Sequence, residues 1–410
     1  MRAKNIRGLV WAACAWNFIS VGAYSMIGPV RSALLMTQFG PDALPWVYMA
    51  GAAITGAVVW VYGRCTYLPR GRLIGGSLVL LAVTMAGGAL AVSAAASPAV
   101  SFVYFLWTDV FGIMSMTLFW TYANDVFTPE EAKRWFGVIA GASPIGSLAG
   151  AWTVKALVGS LGPFAMLIGA AGTFVLVLPV FLFMERCAAG RGKSAGQPQS
   201  SAAPPEKGIL HTIASSPYLI FLTVIVGLER LVPDINNYLF GVEAARVFGG
   251  DSRGMVALYA EVNWWAAIAS FLVSLFLVGP TIRRLGTGAG LMLIGVINLI
   301  LFASYPLAPS LSLVAAFSGL DAVARYTWFK TAKETTYSAT NRDVIYRVKA
   351  FVEMFVYRFA RGLGGFLLLL IGQLQWGAVG AALLGLPLAT LWIYASWRVG
   401  REHARSESTR

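Results

Sequence analysis

Long apolar runs separated by short polar, mostly basic segments pattern the whole chain, and a run of about 20 residues is long enough to cross a bilayer as a helix. The runs fall at about 9–30, 44–62, 73–96, 99–122, 135–158 and 164–184, and then at 217–240, 255–278, 286–305, 310–329, 345–371 and 376–397. Between the sixth and the seventh the pattern breaks. Residues 185–210 place Arg186, Arg191, Lys193 and Lys207 with Pro198, Pro204 and Pro205 among Gly, Ser and Ala, which is linker composition without a core-forming pattern. The pattern predicts an all-α polytopic membrane protein of twelve transmembrane helices in two bundles of six. The expected division is 1–185 for the first bundle, 186–210 for a cytoplasmic linker, and 211–410 for the second bundle with its short basic tail.

Loop Lys and Arg test that parse, because they should concentrate on the cytoplasmic side. Of the 31 basic residues, 23 fall on the side that would hold both termini. Four fall on the opposite side, Arg31, Lys155, Arg246 and Arg253, and Arg230, Arg325, Arg358 and Arg361 lie inside runs. A wrong number of spans would scramble this asymmetry, so twelve spans with both termini in the cytoplasm are expected. Arg2, Lys4 and Arg7 ahead of the first run resemble the start of a signal peptide. The run is long enough to span, and no convincing small-residue cleavage site follows it, so it reads as a retained first helix.

Composition agrees. The chain of 410 residues is 58% hydrophobic and 12% charged, with a formal net charge of +13. Soluble domains carry about 25% charged residues, so lipid, and not water, is the main solvent of this surface. The excess basicity is then a topology signal, and no nucleic-acid partner is needed to explain it. Three scattered cysteines (Cys14, Cys65, Cys187) and two histidines (His211, His403) exclude a disulfide framework and give almost no material for a metal site or a His-dependent triad. An enzyme is not expected, nor are catalytic residues, a metal or a cofactor.

Charges inside the runs are the informative positions, because an ionic group at the centre of a span costs at least about 2.5 to 3.5 kcal/mol unless it faces a partner or a cavity. Asp109 lies in the fourth run, Glu229 and Arg230 in the seventh, Glu261 in the eighth, Asp321 and Arg325 in the tenth, and Glu353, Arg358 and Arg361 in the eleventh. Asp321 and Arg325 are four apart and share a helix face. They are either a pair locking helices together or a substrate or coupling element. Glu353, Tyr357 and Arg361 share a face by the same spacing, with Arg358 rotated aside and Asp321 as its expected partner.

The fifth run places small residues at Gly137 and Gly141 and again at Gly146 and Gly150 around Pro144. Close helix packing explains that spacing, and the alternative is the kinked span-five motif of proton-coupled antiporters. Trp46, Trp135, Trp376 and Trp397 fall at run ends, where interfacial anchoring accounts for them. Trp107, Trp120, Trp264 and Trp265 lie deeper, where stacking on a planar ligand is an alternative to packing.

Six helices, a basic linker and six helices resemble the major facilitator architecture, two bundles around a midplane site. More specific is the segment Trp107-Thr108-Asp109-Val110-Phe111-Gly112, followed by Leu118-Phe119-Trp120-Thr121-Tyr122-Ala123-Asn124-Asp125 and Thr128-Pro129-Glu130-Glu131-Ala132-Lys133-Arg134. With Gly28-Pro29-Val30-Arg31, Lys333-Glu334 and Tyr346-Arg347-Val348-Lys349-Ala350-Phe351, it resembles the bacterial and plastid ATP/ADP translocase family, and is nearer to the short members of free-living bacteria. The resemblance implies exchange of nucleotides with no covalent chemistry. By motif position it implies roles for Arg31, Asp109, Glu229 and Lys349, with Gly28 standing where relatives often carry a second basic residue.

Together these readings give a secondary active transporter, an antiporter by its resemblance, that moves a small organic, anionic metabolite by alternating access. Arg31, Lys349, Arg358, Arg361 and Trp120 are the expected substrate-binding residues. Asp109, Glu229, Asp321, Arg325 and Glu353 are the expected coupling or charge-pair residues. The alternative is a proton-coupled exporter or importer of another amphipathic metabolite. The expected partners are the small-molecule substrate, the lipid bilayer and, as coupling ion, protons; one chain already holds both bundles, so a monomer is expected.

Overall fold

The computed structural model describes residues 2–65, 68–95, 97–189, 209–338, 348–349 and 351–408, and among them every regular element is helical. In chain order these are α1 (Arg2–Phe39), α2 (Ala43–Arg64), α3 (Arg70–Ala95), α4 (Pro98–Val126), α5 (Pro129–Leu161), α6 (Pro163–Val175), α7 (Val177–Ala189) and the short α8 (Ile209–Ala214). The series continues with α9 (Pro217–Phe248), α10 (Ser252–Phe276), α11 (Val278–Ser304), α12 (Leu311–Ala324), α13 (Lys330–Ser338), α14 (Tyr357–Gln373) and α15 (Gly377–Ser408). Two π-helical turns, Arg325–Phe329 and Val352–Val356, lead into α13 and α14. The linker expected at 186–210 falls largely outside the described residues, as do Tyr346, Arg347 and the start of the eleventh run.

Proline sets several of the starts. α4, α5, α6 and α9 each begin on a proline, where the missing N–H has no intrahelical partner to lose. The residues before three of them, Ser97, Thr128 and Ser216, are extended, as a following proline demands. At α5 a capping box closes the start: Thr128 Oγ1 accepts from the Glu131 N–H at 3.2 Å, and Glu131 Oε2 accepts from the Thr128 N–H at 2.9 Å.

Nine helices among the described residues are long and apolar enough to cross a membrane. The remaining expected spans, the seventh, tenth and eleventh, fall on helices of another kind. α9 carries Glu229, Arg230 and Asp234 in its middle. The tenth and eleventh are interrupted by the π turns, leaving α12 with 14 residues and α14 with 17. The chain is thus an all-α polytopic protein whose least apolar and least regular helices are those that carry most of its buried charge. Helices also outrun the apolar runs: α1 continues to Phe39 and α9 to Phe248, so Arg31 and Arg246 are helical residues and not parts of exterior loops.

By internal contacts the chain divides into two compact units. The first comprises residues 1–38, 54–201 and 250–264, and the second 39–53, 202–249 and 265–410. In the first, α1 and α5 approach backbone to backbone: a Cβ on Gly146 would lie 2.3 Å from the Phe18 carbonyl oxygen, and one on Gly150 would lie 2.3 Å from that of Gly22. Ser25 to Ser147 (3.0 Å) and Asn17 Nδ2 to the Ile139 carbonyl (2.9 Å) bond across the same seam. Gly137 and Gly141 face open space, so the packing reading holds for the second glycine pair and fails for the first. Buried Trp16 packs edge-on against Phe119 and Phe181 and tilted against Tyr122.

The second unit uses the same device. α11 and α15 touch at Gly288 and Gly400, where a Cβ on Gly400 would sit 2.6 Å from the Gly288 Cα. Fully buried Trp392 of α15 donates its indole N–H to the Leu291 carbonyl at 3.0 Å and packs on Phe329. α14 lies on the start of α2, with Gly365 against the Pro45 carbonyl. Lipid supplies no hydrophobic drive between helices, so close approach of this kind carries the packing.

Candidate functional site: buried charges in two units

In the first unit the site is built on Arg31, two residues past Pro29 in α1. Its Nη1 donates to Asp109 Oδ1 at 2.6 Å and to Thr108 Oγ1 at 2.9 Å, and its Nη2 donates to the Tyr24 hydroxyl at 3.3 Å. The guanidinium lies 4.7 Å from the Phe105 ring centroid and 5.5 Å from that of Tyr24. Helix geometry explains the convergence. Tyr24 and Arg31 are seven apart and share a face, while Phe105 stands three and four residues before Thr108 and Asp109, and Gly112 four and three after them, on one side of α4. A Cβ on Gly112 would lie 2.4 Å from Tyr24 Cε2, so the glycine makes the slot for that ring.

The segment that carries the family resemblance therefore divides by role. Thr108 and Asp109 hold the cation, and Trp107 ties α4 to α3 through Thr84 Oγ1 at 2.9 Å. Phe111 packs edge-on against Phe174 at 4.6 Å. Trp120 lies between Phe119 (5.0 Å) and Phe136 (5.4 Å) in an aromatic cluster. It is eleven residues past Asp109, about 16 Å along the helix, so the structure does not bring it to the Arg31 pair. Thr128 and Glu131 cap α5. Glu261, expected inside the eighth span, is exposed and meets Lys155 at 3.3 Å, beside the Trp264 ring.

The second unit gathers more charge. Asp321 pairs with Arg325 across one helical turn, as the spacing predicted, and also accepts from Asn298 Nδ2 at 2.7 Å. Asn298 Oδ1 accepts in turn from Asn236 (3.1 Å), whose Oδ1 accepts from Ser318 at 2.7 Å. This chain of partners crosses α9, α11 and α12, and it satisfies the carboxylate without Arg358. The expected Arg358–Asp321 pairing does not form, because both oxygens of Asp321 are already engaged.

A second cluster surrounds Lys333 in α13. Its ammonium lies 2.7 Å from Glu229 of α9 and 3.8 Å from Glu353 of the second π turn. Lys349 binds both oxygens of Glu334, at 2.9 and 2.7 Å, and lies 4.9 Å from the Tyr337 ring centroid. Tyr218 of α9 donates to the Thr336 carbonyl at 2.7 Å. Lys349 is thus placed against an acid, beside the Lys333 cluster.

A π turn at Val352–Val356 widens the helix at Glu353, while Tyr357 and Arg361 stand one turn apart in regular α14, and Glu353 and Tyr357 both lie near Lys333. Glu353 goes to Lys333, Tyr357 lies under Arg230 at 5.9 Å, and buried Arg361 lies 5.3 Å from the Tyr48 ring. Arg230 pairs with Asp234 at 3.1 Å. Arg358, half-buried, makes no hydrogen bond or ion pair among the described residues.

Sequence reasoning missed Lys333, which stands just past the tenth run and reads as a loop cation. It also missed Asn236 and Asn298, although an amide within an apolar run was a visible signal. Among the described residues no group of His, Cys, Asp and Glu could hold a metal ion.

Three solved structures align along nearly the whole chain. The nucleoside transporter NupG shares 14% identity over 95% of this chain and 98% of its own, with a TM-score of 0.66. A POT family transporter in complex with 5-aminolevulinic acid shares 13% over 98% and 96%, at 0.63. A bacterial homologue of the human lysosomal transporter Spinster, inward-facing and unoccupied, shares 13% over 98% of each chain, at 0.57. The fold is that of the major facilitator transporters. No family model matches the sequence, and no curated protein does. At these identities the likeness speaks to the facilitator fold alone.

Proposed function

We propose that this chain is a secondary transporter that moves a small organic anion across the bacterial inner membrane by alternating access, with exchange of nucleotides as its specific form. Arg358 carries the reading. It stands at the centre of the run 345–371, half-buried and without an acidic partner among the described residues. A guanidinium left unpaired at that depth is costly and is relieved by an anion brought from outside. Arg361, three residues further along the same span, is a second cation of that unit, and the other unit carries a cation of its own in Arg31, held by Asp109 at 2.6 Å.

The nucleotide part rests on the resemblance in the fourth span and is in keeping with a nucleoside transporter among the structural neighbours. Both termini are placed in the cytoplasm, which the 23 basic residues on that side support. A single chain holds both units and is proposed to act as a monomer.

The test is counterflow into proteoliposomes loaded with unlabelled ADP. Labelled ATP should enter only when ADP is inside, Arg358→Ala should lower the rate at least about tenfold, and labelled adenosine should not enter. Uptake of adenosine equal to that of ATP, unaffected by Arg358→Ala, would reject an anionic substrate while leaving a transporter.

A further inference from the structure

Two tryptophans set the depth of α15 in the bilayer. Trp376 stands just before its first turn and Trp397 twenty-one residues later, about 30 Å apart at the rise of an α-helix, which matches the hydrocarbon layer. Both indoles are exposed, at 60% and 42%, as interfacial anchors are. Arg398, Arg401 and Arg405 follow Trp397 directly, so α15 carries them out of the hydrocarbon and into the layer of lipid phosphates.

These cations share a face with the exposed side chains before them. At 3.6 residues per turn, Leu391, Tyr394, Trp397, Arg398, Arg401 and Arg405 fall within about a third of the helix circumference. Trp392, Ala395, Ser396 and Val399, on the other side, are buried. Along the exposed face the chemistry passes from aliphatic to aromatic to cationic, the order in which a phospholipid presents acyl chain, ester and phosphate.

The guanidinium groups are held in place without being consumed by acids. Arg398 donates to the Tyr394 hydroxyl at 3.3 Å, lies 5.0 Å from the Phe221 ring centroid, and meets Glu402 only at 3.8 Å. Arg401 lies 4.7 Å from the Trp397 ring centroid and has no acid within ion-pair distance among the described residues. α11 adds two cations to the same end. It runs antiparallel to α15, with Gly288 against Gly400 and Gly295 against Trp392 and Ile393, so exposed Arg283 and Arg284 stand at the end that holds Arg398 and Arg401. Residues 279–288 and 391–405 contain five arginines and a single acid, Glu402. Such an excess at phosphate depth is complementary to anionic headgroups, and each guanidinium can fork two N–H donors onto phosphate oxygens.

We propose that this end of α15, with the start of α11, is a docking site for an anionic phospholipid, its phosphate on Arg398 and Arg401 and its acyl chain along Tyr394 and Leu391. The site faces lipid and is separate from the proposed transport of an anion, so it is read without any transport.

The test is titration of the purified full chain in detergent with phosphatidylglycerol or phosphatidylcholine, with bound lipid counted by native mass spectrometry. Each arginine near an anionic headgroup contributes about fivefold in affinity, so wild type should prefer the anionic lipid by at least about tenfold. Arg398→Gln with Arg401→Gln should lose at least about tenfold for phosphatidylglycerol, and lysine at both positions should recover part of it. Arg64 and Arg134, which also lie over tryptophans, at 4.0 Å from the Trp60 ring and 5.0 Å from that of Trp135, are the control for charge alone. Arg64→Gln with Arg134→Gln should bind the lipid as wild type does. Equal losses in the two double variants would mean that net charge alone draws the lipid, and would overturn the site. Equal affinity for the two lipids would overturn it as well. Glycerol phosphate bound as tightly as phosphatidylglycerol would make this a phosphate site and overturn the lipid assignment. Should the double glutamine variant lose its fold, Arg401→Gln alone breaks no ion pair and should still lose about fivefold.

Discussion

The two units solve the same problem, charge in lipid, in opposite ways. The first closes its charge: one guanidinium, one carboxylate, a threonine and a tyrosine converge at Arg31, on helices that are otherwise apolar and packed through glycine. The second spreads its charge over α9, α11, α12, α13 and the two π turns, and leaves Glu353 loosely held and Arg358 unpartnered among the described residues. A closed pair costs most when one member is removed, because the other is stranded. An open cluster has groups that a solute or a proton can complete. The first arrangement fixes its groups through mutual contacts, and the second leaves groups with few of them.

The largest expected effect breaks the contrast directly. Asp109→Asn removes the carboxylate from a guanidinium held at 2.6 Å, with Asp109 buried in the bundle. Stranding a buried charge costs about 3 to 5 kcal/mol. The variant should unfold at a markedly lower temperature in detergent, and Asp109→Asn with Arg31→Met should recover a large part of the loss. Arg358→Met, by contrast, strands nothing and should unfold no earlier than wild type. Equal losses in Asp109→Asn and Arg358→Met would erase the distinction between closed and open charge.

How far this could be read in the residues differs between the units for the same reason. The spans, the basic asymmetry and the Asp321–Arg325 pair follow from periodicity, because helix geometry alone places residues four apart together. Arg31 was legible only as a cation just past the first run, and Asp109 only as an acid inside the fourth. Their meeting depends on which faces α1 and α4 turn to each other, and on Gly112 making room for Tyr24. In the second unit the partner expected for Arg358 is taken up by Arg325 and by Asn298 of another span, and the π turn at Val352–Val356 cannot be seen in a hydrophobic pattern that assumes 3.6 residues per turn. Lys333 was hidden by its place past the end of an apolar run. The resemblance pointed to Asp109 and Arg31 separately, and the structure brings the two together, while Trp120 stands in an aromatic cluster with Phe119 and Phe136.

A smaller effect sharpens the account of the first unit, because its closed pair relies on α1 being fixed against α5. Gly146→Ala drives a methyl group to within 2.3 Å of the Phe18 carbonyl oxygen, a backbone atom that cannot rotate away. Overpacking of this sort costs about 1 to 3 kcal/mol. Gly141→Ala, five residues earlier on the same helix, meets nothing within 4 Å and should be neutral or stabilise by up to about 1 kcal/mol through helix propensity. Thermal unfolding of the two variants side by side measures the difference. A destabilised Gly141→Ala would point to the kinked-helix role of the first glycine pair and not to packing.

The smallest effect concerns the end of the segment that carries the family resemblance. Thr128 and Glu131 exchange two hydrogen bonds with each other's backbone N–H groups, at 3.2 and 2.9 Å, ahead of a helix that starts on Pro129. Those contacts satisfy orphan donors of the first turn, a local task that any helix start presents. Thr128→Ala removes one of them and should cost about 1 kcal/mol. Thr128→Ser keeps the hydroxyl and should recover most of it. Neither change alters a buried charge, so counterflow rates at a temperature well below unfolding should equal those of wild type. A transport defect in Thr128→Ala that Thr128→Ser does not rescue would mean that the start of α5 does more than begin a helix. The functional part of the first unit would then extend from the Arg31–Asp109 pair to the cap of α5.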